Sequence, residues 1–235
     1  MTQKEVLEEL EAFGDERTKN TFLKHGAKEP LFGVKVGDLK KILKKTKKNH
    51  ALSLELYATG NTDAMYLAGL MADEKQITAA HLDDWVRKAY WYYLSEFTVP
   101  WLAAETDYGF ELAKKWIESK EEGIASAGWA TFSNIASIRP DEALDIEAYS
   151  QLLDQVAKEI EQAQNRVRYA MNSFVIAVGS YIPVLTKKAQ EIATKIGKIT
   201  VEMGGSSCKV PLASDYIQKV VDKERIGKKR KQARC

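Results

Sequence analysis

One short segment combines aromatic side chains with a carboxylate, a pairing that can hold a base and stabilise positive charge. It reads Tyr90-Trp-Tyr-Tyr-Leu-Ser-Glu-Phe-Thr-Val-Pro-Trp101. Four adjacent aromatic residues point in every direction around a helix, so we expect some of them to be exposed or to line a groove. Exposed rings stack on bases, and a carboxylate stabilises a developing cation. Trp91 and Tyr92 are therefore candidate groove aromatics, and Glu96 is the candidate catalytic residue. Packing of the rings between helices is the alternative.

Two sets of basic residues are candidates for binding a phosphate backbone. Arg166 and Arg168 interrupt a stretch of small and apolar residues, where a charge is costly unless it is paired or wet, so we expect both on a concave face. Near the carboxyl end, an uninterrupted basic run is formed by Lys228, Lys229, Arg230 and Lys231. Because neutralised phosphates release counterions, both sets predict DNA binding that weakens with salt.

Common enzymatic motifs are absent from the sequence. It contains no phosphate-binding glycine loop of the nucleotide enzymes, no serine nucleophile elbow and no zinc-protease motif. Its histidines and its two cysteines, Cys208 and Cys235, do not occur at the spacing of metal ligands. We therefore expect no metal, no organic cofactor and no disulfide.

Helices must position the candidate residues, because apolar residues recur at three- and four-residue spacing through most of the chain. Three stretches, 64–70, 124–130 and 167–173, mix small with large apolar residues, as expected for inner helices packed between neighbours. Their separation fits helix-pair repeats. The predicted class is all-α, a right-handed superhelix (α-solenoid) of HEAT- or armadillo-like helix pairs. An irregular helical bundle is the alternative.

One segment departs from the helical pattern. Ile199-Thr-Val-Glu-Met203 alternates, Gly204-Gly205 is a turn signal, and Ser206-Ser-Cys-Lys-Val210 can return as a partner strand. The sequence therefore predicts a short β-hairpin at about 198–210. It would either cap the end of the solenoid or contact a ligand.

Length and composition predict one globular unit. With 235 residues, 45% of them hydrophobic, the chain suits a single domain over 1–222 and a basic C-terminal tail over 223–235. The tail is short and polar, so we expect folding not to depend on it. There is no apolar run of membrane-spanning length and no signal-peptide pattern. The expectation is a cytoplasmic monomer that does not associate with membranes.

Several short motifs follow one another along nearly the whole chain. They are the aromatic segment with its carboxylate before Val99-Pro100, then Trp116-Ile-Glu-Ser119, Ser207-Cys-Lys-Val-Pro211 and Gly227-Lys-Lys-Arg-Lys231. Their order resembles the AlkD-like DNA alkylation repair family. The resemblance implies a C-shaped stack of HEAT-like repeats whose basic concave face holds DNA. It also implies excision of cationic N3- and N7-alkylated purines without a metal or cofactor.

The resemblance assigns roles to individual positions. The family's catalytic aspartate falls on Glu96 and one of its tryptophans on Tyr92. The arginine that clamps the DNA backbone falls on Ser126, and a second groove tryptophan falls near Ser173. A glutamate moves the charge by about one methylene, and displacements near 1 Å can cost on the order of a hundredfold in rate.

Three functions remain open from the sequence. The missing arginine favours a non-catalytic protein that binds damaged or branched DNA. The second interpretation is a DNA glycosylase that uses Glu96. The third is a protein-binding solenoid scaffold, because a fold does not fix a function.

Overall fold

A computed structural model describes residues 1–204 and 209–234 of the protein; residues 205–208 and 235 lie outside the described part. The described residues form thirteen α-helices, α1 (Gln3–Ala12), α2 (Glu16–Lys24), α3 (Val36–Thr46), α4 (His50–Ala58), α5 (Thr62–Met71), α6 (Ala79–Lys88), α7 (Val99–Ala104), α8 (Gly109–Ile117), α9 (Glu122–Ile138), α10 (Ile146–Glu159), α11 (Asn165–Tyr181), α12 (Thr186–Ile196) and α13 (Ala213–Asp222). A π-helical turn (Tyr93–Thr98) precedes α7, and 3₁₀ turns (Asp141–Ala143 and Pro183–Leu185) precede α10 and α12. No strand occurs in this part of the chain, so the predicted all-α class is confirmed.

Polar residues start many of these helices. The side chains of Asp15, Asn49, Asn61 and Asp145 each accept a hydrogen bond from a backbone N–H in the first turn that follows. Thr2 does the same and is part of a reciprocal capping box with Glu5. Such caps satisfy N–H groups that have no partner within the helix, so local sequence fixes where these helices begin.

Three helices form the inner layer that the small-residue stretches predicted. All residues of α5 are buried, and α9 packs along both α8 and α11. Glycine permits one of these contacts: a Cβ atom on Gly128 of α9 would lie 2.7 Å from the Ile117 backbone nitrogen. Between α9 and α11, the rings of Trp129 and Phe174 pack with centroids 5.1 Å apart. The core therefore runs continuously from one helix pair to the next.

The predicted β-hairpin at 198–210 is wrong: the described residues of this segment contain no strand, and positions 205–208 lie outside the described part. The physical reason is that α11 supplies the hydrogen bonds that a partner strand would have made. The Asn165 side chain donates to the Glu202 carbonyl at 2.9 Å and accepts from the Glu202 N–H at 2.7 Å. The alternation instead reflects Ile199 and Val201, which are buried against the core.

The basic tail crosses the carboxyl ends of the inner helices in turn. The N–H of Gly227 donates to the Ser180 carbonyl of α11, and the N–H of Arg230 donates to the Ser137 carbonyl of α9. Arg234 then donates to the carbonyl of Ala72, directly after α5. Its side chain is 9% exposed and forms ion pairs with Glu74 and Glu105. The tail thus makes specific contacts with the inner helices, which its composition did not indicate, and its contribution to folding stays a prediction.

Within the described residues, no single helix is long and apolar enough to cross a membrane. One bent pair, Asn165–Tyr181 followed by Pro183–Ile196 at 116°, has the necessary length and composition when its two parts are joined.

Candidate functional site

The candidate carboxylate is positioned by the π-helical turn. The Thr98 hydroxyl donates to the Tyr93 carbonyl, five residues earlier, at 3.0 Å. This wider turn places both Ser95 and Glu96 on the buried side, where they are 3% and 6% exposed. Turns of this kind are frequent at functional sites. The hydrophobic pattern of the sequence did not indicate this π-helical turn.

Trp91 is a packing residue. It is buried, its indole N–H donates to the His25 carbonyl at 2.8 Å, and its ring stacks on Tyr93 with centroids 4.3 Å apart. Phe22 of α2 packs against the same indole ring. Of the two interpretations left open by the sequence, packing between helices is the one that describes Trp91.

Tyr92 is partly buried and lies beside the candidate carboxylate. Its hydroxyl lies 3.3 Å from Nδ1 of His25. The guanidinium of Arg166 lies over the face of its ring, 4.5 Å from the centroid, in a cation–π contact. The structure therefore brings together Tyr92, Glu96 and Arg166, three of the site residues singled out from the sequence.

Arg166 donates two hydrogen bonds to the Glu96 carboxylate. Its Nε donates to Oε1 at 2.6 Å, and its Nη2 donates to Oε2. The two side chains are 15% and 4% exposed. The guanidinium carbon also lies over the ring of Tyr169, 4.6 Å from its centroid. Both carboxylate oxygens are therefore engaged, and the arginine contacts two aromatic rings as well.

The electrostatics of this pair follow from its burial. Burial raises the pKa of the Glu96 carboxyl, and the hydrogen bonds and charge of Arg166 oppose that rise only in part. Burial also disfavours the charge on Arg166, but Glu96 outweighs it and raises the pKa of the guanidinium. The arginine is thus a fixed cation beside the carboxylate. A carboxylate that stabilises a sugar cation must direct its charge at the substrate, and here a protein cation already occupies that position.

The position that the resemblance assigns to the clamping arginine lies inside the protein. Ser126 is buried within α9, and its hydroxyl donates to the Gly123 carbonyl of the same helix at 3.1 Å. Ser173, assigned to a groove tryptophan, is half-buried on α11. Neither side chain can replace the contact that a long arginine or a large ring would make.

Some of the other predicted basic residues bind groups within the protein, and the rest are exposed. Arg168 donates to the carbonyls of Ala163 and Thr200, and so holds the segment that follows α12. Lys229 donates to two carbonyls and pairs with Asp141 at 2.8 Å. The exposed members of the tail run are Lys228, Arg230 and Lys231. Their role in DNA binding stays a prediction.

Two members of the Glu96 site were missed from the sequence. Tyr169 follows Arg166 by three residues on α11, a spacing that places side chains on one helical face and could have identified it. The sulfur of Met203 accepts a hydrogen bond from Arg166 Nη1 at 3.4 Å, a contact with no local signal. In the part of the chain that the structure describes, no three His, Cys, Asp or Glu residues converge as metal ligands would.

Comparisons with known proteins identify the family and the fold. Uncharacterized proteins of Listeria innocua and Listeria monocytogenes are 37% and 36% identical over 218 residues, which cover 90% of this chain and 93% of each relative. A solved structure, described as a new family of proteins related to the HEAT-like repeat DNA glycosylases with affinity for branched DNA structures, is 41% identical. It superimposes with a TM-score of 0.92 over 100% of both chains. The helices thus form a HEAT-like repeat fold. Because residues 6–192 match the family described as DNA alkylation repair enzyme, this chain belongs to that family.

Proposed function

We propose that this protein binds the phosphate backbone of branched DNA and does not excise bases. The observation that carries the proposal is the Glu96–Arg166 pair. A glycosylase of this family would need that carboxylate to stabilise positive charge on the sugar as the glycosidic bond breaks. Here its charge is neutralised by a buried arginine, and no arginine stands at position 126 to hold the DNA backbone.

The likeness to a branched-DNA binder supports the choice of ligand. That protein shares 41% of its residues with this chain and aligns over its full length. We propose that the helix pairs build a right-handed superhelix with a concave face for DNA. A junction presents phosphates on several arms at once, so it can satisfy cations that a single linear duplex leaves without a partner.

Equilibrium binding to two DNA ligands of equal length and sequence content tests this proposal. One is a four-way junction and the other a linear duplex, each titrated at several salt concentrations. We expect the junction to bind about tenfold more tightly and with the steeper salt dependence, because the protein would contact more phosphates on the junction than on the duplex. Equal affinity for the two ligands would contradict the proposed preference for branched DNA.

A third ligand separates binding from the glycosylase alternative. The same linear duplex carrying 7-methylguanine should bind no better than the unmodified duplex, because an occupied carboxylate offers nothing to a cationic base. Clear preference for the methylated duplex would favour an enzyme that recognises its substrate.

A further inference from the structure

The carboxyl end of α11 borders a strongly basic cleft. The cleft has a volume of about 750 Å³ and lies between α11, α13 and the tail. Its basic lining consists of Lys219, Lys223, Arg225, Lys228, Lys229, Arg230 and Lys231. None of the described residues that line it is an aspartate or glutamate. Because the whole chain carries a formal net charge of only +2, this concentration of one sign is a local feature.

Most of these cations have no carboxylate partner in the part of the chain that the structure describes. Within the described residues, Lys229 is the one lining cation in an ion pair, with Asp141. The remaining side chains repel one another, which costs free energy unless an anion enters. The cleft therefore has the electrostatics of an anion-binding site with several positive charges free to act.

The carboxyl end of a helix would ordinarily repel an anion, but this end is capped. The Ser180 carbonyl accepts from the N–H of Gly227, and the Tyr181 carbonyl accepts from the Lys229 ammonium at 2.7 Å. These contacts neutralise the negative end of the α11 dipole. Lys229 thus has a structural role at the end of α11, and its exposed neighbours Lys228 and Arg230 can contact a ligand.

Two further groups in the cleft suit a nucleic acid. Tyr216 is 48% exposed, and the Lys219 ammonium lies 4.9 Å from its ring centroid. An exposed aromatic ring beside a cation is a surface on which a base can stack. The hydroxyl of Ser180, on the floor of the cleft, is buried and has no hydrogen-bond partner among the described residues. Buried hydroxyls are normally paired, so this donor is available to a ligand that reaches the floor.

We propose that this cleft is a phosphate-binding site, separate from the Glu96–Arg166 pair, which takes the sugar–phosphate backbone of one arm of a branched DNA. The inference rests on the proposed function and adds a location to it. Arg166 lies near the start of α11 and Ser180 near its end, about 21 Å apart at 1.5 Å per residue. A phosphate in the cleft cannot also contact the Arg166 end of the helix. A phosphate bound there is therefore distinct from the Glu96–Arg166 pair, and a ligand with more than one arm can place one arm in the cleft while another lies elsewhere on the protein.

Removal of three exposed cleft charges tests the site. The variant Lys223→Gln/Arg225→Gln/Lys228→Gln leaves the structural residue Lys229 in place. Its matched control, which removes the same charge from α8, α10 and α12, is Lys114→Gln/Lys158→Gln/Lys195→Gln. All six side chains are exposed, so both variants should keep the wild-type unfolding midpoint. Each is titrated with the four-way junction and with the linear duplex across a range of salt.

We expect the cleft variant to bind the junction about tenfold more weakly, with a log–log salt slope smaller by about 2–3, because each lost phosphate contact removes about 0.9. Its affinity for the linear duplex should change less than that for the junction, and the control variant should resemble wild type with both ligands. Wild-type junction affinity in the cleft variant, or an equal loss in the control, would overturn the cleft alone. Failure of the wild-type protein to bind either DNA would overturn the proposed function together with the cleft.

Discussion

Arg166 and Glu96 are 70 residues apart in the sequence, yet they share two hydrogen bonds in the protein interior. The pair ties the start of α11 to the π-helical turn before α7. The family resemblance assigns catalysis to the Glu96 carboxylate, and in this pair a protein cation neutralises its charge. Structure and chemistry at this point are therefore coupled: freeing the carboxylate for a substrate means breaking a buried contact between helices.

Replacement of Arg166 by glutamine should destabilise the fold by about 3–5 kcal/mol near pH 8. The variant leaves the Glu96 charge buried without a cation, which costs more than an exposed pair would. Without the arginine, burial acts almost unopposed and should raise the pKa of Glu96 further. The folded state then binds the proton more tightly than the unfolded state. Stability is lost above the folded pKa and regained as pH falls through it.

The pH dependence distinguishes this explanation from simple loss of packing. Urea unfolding of Arg166→Gln should show a smaller deficit at about pH 5 than at about pH 8. In the double variant Glu96→Gln/Arg166→Gln the titrating group is gone, so its free energy of unfolding should change less between the two pH values than that of the single variant. A single variant whose deficit does not change with pH would contradict the predicted role of the buried charge.

Close approach of α8 and α9 makes a second prediction, for two glycines on the same helix. A Cβ atom on Gly128 would lie 2.7 Å from the Ile117 nitrogen and 2.9 Å from the Ala113 carbonyl oxygen, so Gly128→Ala should cost about 1–3 kcal/mol. At Gly123 the nearest such atom is 3.5 Å away, an ordinary contact. Gly123→Ala should therefore be neutral or should stabilise α9 by up to about 1 kcal/mol. Similar unfolding midpoints for the two variants would show that the helices can separate freely.

The helical class could be predicted from the sequence because its evidence is local. Apolar spacing, caps such as Asn61 and the small residues of α5 act within one or two turns, and the helices form where those signals lie. The hairpin at 198–210 failed for the opposite reason. Its alternation reflects the burial of Ile199 and Val201, but the partner of its backbone is the side chain of Asn165 on a distant helix.

Three members of the candidate site could be predicted from the sequence, but the contact between them could not. The aromatic segment and the lone arginines singled out Tyr92, Glu96 and Arg166 as unusual. Nothing in the sequence indicated that the arginine would bind the carboxylate and not a phosphate, because that contact depends on how two helices pack. The tail shows the same limit, since its composition cannot reveal that Arg234 reaches Glu74 and Glu105.

A third prediction concerns the stability that the Arg234 ion pairs contribute and its loss at low pH. Burial would raise the pKa of Glu74, but Lys48 and Arg234 outweigh it and lower the pKa to about 2. The ionised carboxylate therefore stabilises the fold above its unfolded pKa near 4.5, and this contribution is lost as pH falls from there towards 2. Arg234→Gln should cost about 3–5 kcal/mol near pH 7, because it removes one partner of a buried network. The difference from wild type, measured by urea unfolding, should narrow as pH drops through that window. A difference that stays constant would contradict the ionic origin of the contact.

Neighbouring lysines of the tail should behave differently from one another. Lys229 donates to the carbonyls of Ala136 and Tyr181, and hydrogen bonds from a charged donor contribute about 1.5–3 kcal/mol each. Lys229→Met should therefore lower the free energy of unfolding by at least about 1.5 kcal/mol. Lys228 is exposed, so Lys228→Met should change it by less than about 0.5 kcal/mol. Equal effects of the two substitutions would mean that the tail does not brace the inner helices.

Release of alkylated purines under single-turnover conditions tests the proposed non-catalytic role most directly. Methylated duplex DNA is incubated with the wild-type protein at a concentration that saturates a four-way junction, and free 3-methyladenine and 7-methylguanine are measured over time. We expect no release above that of DNA alone, since Arg166 neutralises the carboxylate that the reaction requires. First-order release by wild type that is abolished in Glu96→Gln would contradict the account and establish a glycosylase.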